Sequence, residues 1–270
     1  MAKQKFVRRY FIILAVVLMG YALVLSQASA QFMQAPSSHP LNATPKPLKK
    51  APGVLLKATA TRKPIAADKN TSSAYTSQVQ KDGSTLFTVA ASKFALTLPK
   101  GWEALDLDSE TLSGAMQTVI KDNPEFGTAL TGQMQQLVVQ GIKFYAVDLA
   151  GKPVRGDLPT TMNVLIQKLP NKMAMKSLLN LTAQQLGVIF SLEDPVEQAV
   201  LKMPVGEVGL LRYTIPLKLP NGKQANVAAT QYLVQGRAGL YIVSFSASPS
   251  AAKTKAKSFE AAMKTFAFLK

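Results

Sequence analysis

The sequence predicts an α+β domain in which a mainly antiparallel sheet lies between helices, a three-layer α/β/α sandwich. Three observations carry this. Between residues 83 and 270, segments with apolar residues at helical spacing interleave with short alternating runs. Two tight-turn signals, Asn221-Gly222 and Gly236-Arg237-Ala238-Gly239, join the longest runs as hairpins. No linker and no internal repeat interrupts the stretch, so it forms one domain.

The elements follow in order. Leu86 to Val89 and Lys93 to Leu98 are strands, the second alternating Phe94, Leu96 and Leu98 with Ala95 and Thr97, and Pro99-Lys100-Gly101-Trp102 ends it. Asp108 caps a helix whose stripe is Leu112, Met116, Val119 and Ile120. Asn123-Pro124 stops that helix and starts another, with Leu130, Met134, Leu137 and Val138 on its apolar side and Gly141 after its end. Strands are expected at Phe144 to Asp148 and Met162 to Lys168. A helix carrying Met175, Leu178, Leu179, Leu186, Ile189 and Phe190 comes next. Strands at Val196 to Met203, Val208 to Leu217, Gln224 to Gln235 and Leu240 to Ala247 precede a last helix from Ala251 to about Phe268.

If Asn221-Gly222 is a two-residue turn, Arg212 pairs with Gln231 and Tyr213 with Thr230, while the next turn sets Ser244 beside Gln231. One face then carries Leu211, Tyr213, Ile215, Tyr232, Val234, Tyr241, Val243 and Phe245 and packs on helices. The other carries Arg212, Gln231, Ser244 and Ser246 among Leu210, Leu233 and Ile242. Arg212, Gln231 and Ser244 are thereby the candidate binding row, with a half-wet sheet face as the plainer reading.

Two segments precede the domain. Lys3, Lys5, Arg8 and Arg9 stand before an apolar run from Phe11 to Leu25, and Ala28-Ser29-Ala30 precedes Gln31. These are the parts of a secretory signal peptide over residues 1–30, cleaved between Ala30 and Gln31. As a helix the apolar run reaches only about 22 Å, short of a bilayer core of about 30 Å, so cleavage is favoured over a retained membrane anchor. Residues 31–82 are rich in Pro, Ala, Ser, Thr and Lys, and form a disordered linker with eight basic residues against Asp68 and Asp82. The expected location is periplasmic or extracellular.

Composition removes most familiar chemistry. The chain has no Cys and one His, His39, in the Pro-rich stretch. Disulfides, thiolate metal sites and cysteine nucleophiles are therefore excluded, and a Ser-His-Asp triad or HExxH zinc site would need that single residue. No GxSxG, SxxK, GxxxxGKS or GxGxxG motif occurs. Asp106, Asp108 and Glu110 alternate like calcium ligands, but Thr111 and Gln117 stand where the loop needs Gly and Glu, so they read as a helix-capping cluster. Arg155-Gly156-Asp157 reads as a turn, and the sequons at Asn42, Asn70 and Asn180 matter only in a secretory eukaryotic host. No cofactor is expected.

The basic excess of 31 residues against 15 divides among signal, linker and domain, which argues against nucleic acid as a partner, as does the scarcity of aromatics in the linker. Anionic lipid or cell-wall polymer could attract the linker, each nearby cation contributing about 1 kcal/mol, or the linker is simply a solvated spacer. On the last helix Ala252, Ala256, Phe259, Met263 and Phe266 share one side, expected to cover the sheet and not a membrane.

The segment from Phe94 to Trp102, an early strand running into Pro-x-Gly-Trp, resembles the PsbP-like family, the fold of an extrinsic photosystem subunit and of many exported bacterial proteins. Thr161-Met162-Asn163-Val164 is similar to that family too, as are Gly239-Leu240-Tyr241-Ile242-Val243-Ser244-Phe245-Ser246 and the final helix with Ser258-Phe259-Glu260 and Thr265-Phe266. The resemblance implies a central antiparallel sheet with helices on both faces, and a binding or assembly factor and not an enzyme. It carries no functional residue over. The expected function is therefore that of an exported non-enzymatic factor of the cell envelope, with another envelope protein as partner. An envelope-attached protein whose linker binds anionic polymer comes second, and an uncharacterised hydrolase third.

Overall fold

A computed structural model describes residues 75–105, 141–150, 159–169, 171–218 and 224–270. The segments 1–74, 106–140, 151–158, 170 and 219–223 lie outside the described residues. With them lie the signal peptide and its Ala30-Gln31 junction, most of the linker, the paired helices after Asp108, the Arg155-Gly156-Asp157 turn and the Asn221-Gly222 turn.

Eleven strands and two long helices are described. They are β1 (Thr76–Val79), β2 (Thr85–Val89), β3 (Phe94–Leu98), β4 (Trp102–Leu105), β5 (Ile142–Asp148), β6 (Thr161–Gln167), α1 (Met175–Phe190), β7 (Glu197–Met203), β8 (Gly206–Lys218), β9 (Gln224–Gly236), β10 (Gly239–Ala247), α2 (Pro249–Lys264) and β11 (Ala267–Phe268). A central sheet has the order β4-β5-β6-β10-β9-β8-β7, and a smaller one the order β1-β2-β3-β11. Every pairing is antiparallel.

Both faces of the central sheet are buried, which makes the arrangement three-layered. On one side α1 packs over β8 and β7, and Leu178, Leu179, Leu186 and Phe190 join Leu211, Leu233 and Ile242 in one core. Gly209 lets α1 come this near: a Cβ there would stand 2.8 Å from Met175 Sδ and 2.9 Å from Leu179 Cδ2. Gln235 of β9 holds the start of the helix, its amide donating to Met173 O at 2.7 Å and accepting from Met173 N at 3.3 Å. On the other side α2 and the small sheet share a layer. Phe87, Phe94, Leu96 and Leu98 meet Phe144, Tyr232, Tyr241 and Phe245, and α2 adds Phe259, Ala262 and Met263. The α+β class and the two covered faces are as expected. Strands sharing the α2 layer are the addition.

The Pro99 to Trp102 corner has a clear physical cause. Trp102 N donates to Pro99 O at 3.4 Å, turning the chain out of β3, and Gly101 adopts φ +93°. Leu149 N donates to Gly101 O at 2.7 Å, which draws the corner onto the end of β5. Trp102 then starts β4 and packs edge-on against Phe245 with ring centroids 6.0 Å apart.

Three expectations are corrected. The folded region starts no later than Tyr75, not at Gly83. Tyr75 donates its hydroxyl to Ala104 O at 3.0 Å, β1 pairs with β2, and Gly83 sits in the turn between them at φ +80°. All four side chains of β1 are exposed, so the strand has no apolar alternation by which to be read. The last helix stops at Lys264, and Ala267–Phe268 pairs with β3 as an edge strand.

The register of β8 on β9 differs by one residue. Leu211, not Arg212, stands opposite Gln231, and Arg212 stands opposite Thr230. Lys218 pairs with Gln224, so the connection spans five residues centred on Asn221, where a two-residue turn would have paired Pro220 with Lys223. A one-residue slip exchanges the faces of a strand. Leu211, Tyr213 and Ile215 therefore lie on the α1 side with Leu233 and Ile242, while Val208 and Leu210 lie with Tyr232, Val234, Tyr241, Val243 and Phe245. The β9–β10 register, with Ser244 opposite Gln231, is as expected.

Candidate functional site: a neutral polar row across the central sheet

On the α1 side of the central sheet a run of polar side chains crosses between apolar ones such as Leu165, Leu233 and Ile242. Adjacent strands there bring Tyr145 of β5 opposite Asn163 of β6, Asn163 opposite Ser244 of β10, Ser244 opposite Gln231 of β9, and Gln231 opposite Leu211 of β8. One step along the strands, Val147, Thr161, Ser246, Ala229 and Tyr213 form the next row. The pleat points every one of these side chains to the same face. Seven of these side chains, Tyr145, Asn163, Ser244, Gln231, Thr161, Ser246 and Tyr213, thus bring neutral polar groups into a mainly apolar layer.

Gln231 is 1% exposed and donates Nε2–H to Ser244 Oγ at 3.1 Å. Among the described residues its Oε1 has no hydrogen-bond partner, and neither has the hydroxyl of Tyr213, which is 6% exposed. Rotating the Gln231 amide by half a turn would exchange the orphaned atom without satisfying both, because Ser244 offers a single hydroxyl. A buried polar atom without a partner costs about 1–3 kcal/mol. Burial pushes the Tyr145 hydroxyl up to about 12, opposed by a hydrogen bond with the Thr161 side chain, so this phenol stays neutral in ordinary conditions. Burial decreases along the strands from Asn163 and Ser244 to the half-buried Thr161 and Ser246.

Of the three residues read from the sequence as a row, the structure brings Gln231 and Ser244 together and sends Arg212 to the opposite face. There Arg212 pairs with Glu197 at 2.6 Å in an exposed ion pair, and its charge partly offsets the burial that pushes Tyr232 up to about 12. Sequence reasoning missed Tyr145, Asn163 and Tyr213 as members. Asn163 carried the clearest signal, an amide set among Met162, Val164, Leu165 and Ile166 within β6.

One charged residue, Glu103 of β4, stands opposite Val147 at the end of the second row; the described ion pairs lie elsewhere. Asp148 ends β5 on the α2 side, accepts from Ala150 N at 2.9 Å and pairs with Lys255 at 2.5 Å. Among the described residues no group of His, Cys, Asp and Glu is placed to hold a metal ion, and no helix is long and apolar enough to cross a membrane. On α2, Phe259, Ala262 and Met263 face the sheet, and Lys253 and Lys257 face outward.

No family model and no curated protein matches the sequence. Among solved structures the chain is similar to cyanobacterial PsbP. That protein, from Synechocystis sp. PCC 6803, shares 10% identity over 75% of this chain and 97% of its own, with a TM-score of 0.39. LpqN of Mycobacterium tuberculosis, described as involved in cell envelope biogenesis, shares 12% identity over 73% of this chain and 91% of its own, also with a TM-score of 0.39. A protein from Bacteroides thetaiotaomicron VPI-5482 shares 11% over 66% of this chain and 46% of its own, at a TM-score of 0.32.

Proposed function

We propose that the protein is an exported, non-enzymatic binding or assembly factor of the cell envelope. The observation that carries this reading is the polar row: it gathers amides and hydroxyls that can form hydrogen bonds, and none that takes or gives a proton near neutral pH. Such a set recognises a molecule more readily than it transforms one. The basic start, apolar middle and Ala28-Ser29-Ala30 ending of the first thirty residues support the exported location. Crosslinking in the native envelope followed by mass spectrometry tests the reading. A reproducible envelope partner is the expected result, and its absence at native expression levels would sink it.

A second reading is favoured by the linker, whose Lys46, Lys49, Lys50, Lys57, Arg62, Lys63 and Lys69 stand against Asp68 alone. In it, the linker attaches the protein to anionic lipid or cell-wall polymer. Full-length mature protein carrying Gln at these seven positions should then lose binding to anionic vesicles, and moderate salt should do the same to the unaltered chain.

A further inference from the structure

Gln231 and Tyr213 lie on neighbouring strands of one face, displaced diagonally by two residues, since Tyr213 is opposite Ala229. At this offset Cα atoms on paired strands are roughly 7–8 Å apart, a gap that a small group can bridge from one side chain to the other. Both residues end in a buried polar atom with no partner among the described residues. Their neighbours are small on one side, Ala229, Ser244 and Ser246, and apolar on the other, Leu211, Ile215 and Leu233. Two unsatisfied groups at diagonal positions of one face outline a candidate hydrogen-bonding site within the fold.

The chemistry of the missing partner follows from these atoms. Gln231 Oε1 requires a donor, and the Tyr213 hydroxyl takes either a donor or an acceptor. The one charged residue in the two rows is Glu103 of β4, opposite Val147 at the far end from Tyr213; around Gln231 and Tyr213 themselves the rows hold no Asp, Glu, Lys, Arg or His, so an ionic group would surrender its hydration there with no opposite charge beside it. Leu211, Ile215 and Leu233 favour an apolar body. The half-buried Thr161 and Ser246, in the same row as Tyr213, mark the side on which burial is least complete.

We infer that the Gln231–Tyr213 region binds a small uncharged molecule that carries at least one hydroxyl or amide N–H beside an apolar body, bridging Gln231 Oε1 and the Tyr213 hydroxyl. This rests on the binding reading above and names the ligand class for it. The unsatisfied atoms are the cost the free protein bears for the site, and replacing them with apolar groups trades binding for stability.

The full mature chain is titrated with n-octyl β-D-glucoside below its micelle-forming concentration, and separately with n-octyl sulfate, while the side-chain amide of Gln231 is followed by NMR. The expected result is saturable movement of that amide with the glucoside and at least tenfold weaker binding of the sulfate. The double variant Gln231→Leu/Ser244→Ala is expected to melt no lower than the unaltered chain and to bind the glucoside at least tenfold more weakly. Tyr213→Phe, which removes one oxygen, supplies the same test if the double variant does not fold. Equal binding of the two amphiphiles, or undiminished binding by the variants, overturns the inference. So does a resident water bridging Gln231 to Tyr213 that the glucoside leaves in place. If the envelope partner is still crosslinked after such a result, the ligand class is wrong and the binding reading stands; if no partner is captured at all, the reading itself fails.

Discussion

Lys255 of α2 reaches Asp148 at the end of β5 at 2.5 Å and so ties the last helix to the strand against which the Gly101 corner is folded. The two partners are unequally placed. The Asp148 side chain is 4% exposed and that of Lys255 33% exposed. Removing the lysine strands a carboxylate that cannot turn to water, whereas removing the acid frees an ammonium that can. Lys255→Met should therefore cost about 1–3 kcal/mol, a value below that of a fully buried pair because Lys255 is partly solvated. Asp148→Asn, which can still accept from Ala150 N, should cost less. Urea denaturation of the two variants measures the order, and a larger loss in Asp148→Asn would contradict it.

Two glycines should respond in opposite directions to the same substitution. At Gly101 an added Cβ would lie 2.4 Å from Ala150 Cβ, and the backbone is at φ +93°. Gly101→Ala must move the corner away from β5 and should destabilise by at least about 2 kcal/mol. At Gly187, inside α1, an added Cβ meets nothing within 4 Å among the described residues. Gly187→Ala should raise stability by about 0.4–1 kcal/mol, chiefly by narrowing the unfolded ensemble. Thermal melts of the pair show a falling and a rising midpoint if the backbone reading holds.

Tyr145 makes the fold sensitive to alkali. In the fold its hydroxyl is pushed up to about 12 by burial, and in the unfolded chain it titrates near 10. The protonated form is thus the one the fold prefers. The contribution is fully present below about pH 10 and is lost as pH rises toward 12, on the order of 2–3 kcal/mol in all. Tyr145→Phe should flatten this decline. Denaturation midpoints measured from pH 8 to pH 12 in both proteins check it, and parallel curves would assign the alkaline loss to other groups.

The elements were legible wherever burial imposed a period. Phe94, Leu96 and Leu98 marked β3, and Leu178, Leu179 and Leu186 marked α1, because each set turns to one core. β1 was not legible, since its side chains are all exposed and its pairing rests on backbone groups. Nor was the β8 register. Leu210 and Leu211 enter opposite cores, as do Val208 and Ile215, so hydrophobic alternation penalises neither alignment, and the length of the turn decides. The candidate site inherited that ambiguity: Gln231 and Ser244 could be paired from the short β9–β10 turn, while Arg212 depended on the longer connection and fell on the wrong face. Asn163 was legible as an amide amid apolar neighbours but not as a member of this row, and Tyr213 carried no signal of its own, because membership is set by which strands adjoin.

The register itself is open to a direct chemical test, since the chain has no Cys to confuse the result. Thr214 stands opposite Ala228, on the side of the sheet facing away from α1. Paired positions on adjacent strands have Cα atoms about 4.5–5.5 Å apart, within the span a disulfide bridges. Thr214→Cys with Ala228→Cys should therefore oxidise readily to an intramolecular disulfide, detected as a loss of two hydrogens and of free thiol. In the alternative alignment Thr214 would instead face Ala229. Thr214→Cys with Ala229→Cys should stay reduced under the same mild oxidant, because Ala229 points into the α1 core beside Tyr213 and Gln231. A disulfide in the second pair and none in the first would restore Arg212 to the face of Gln231 and remove Tyr213 from it.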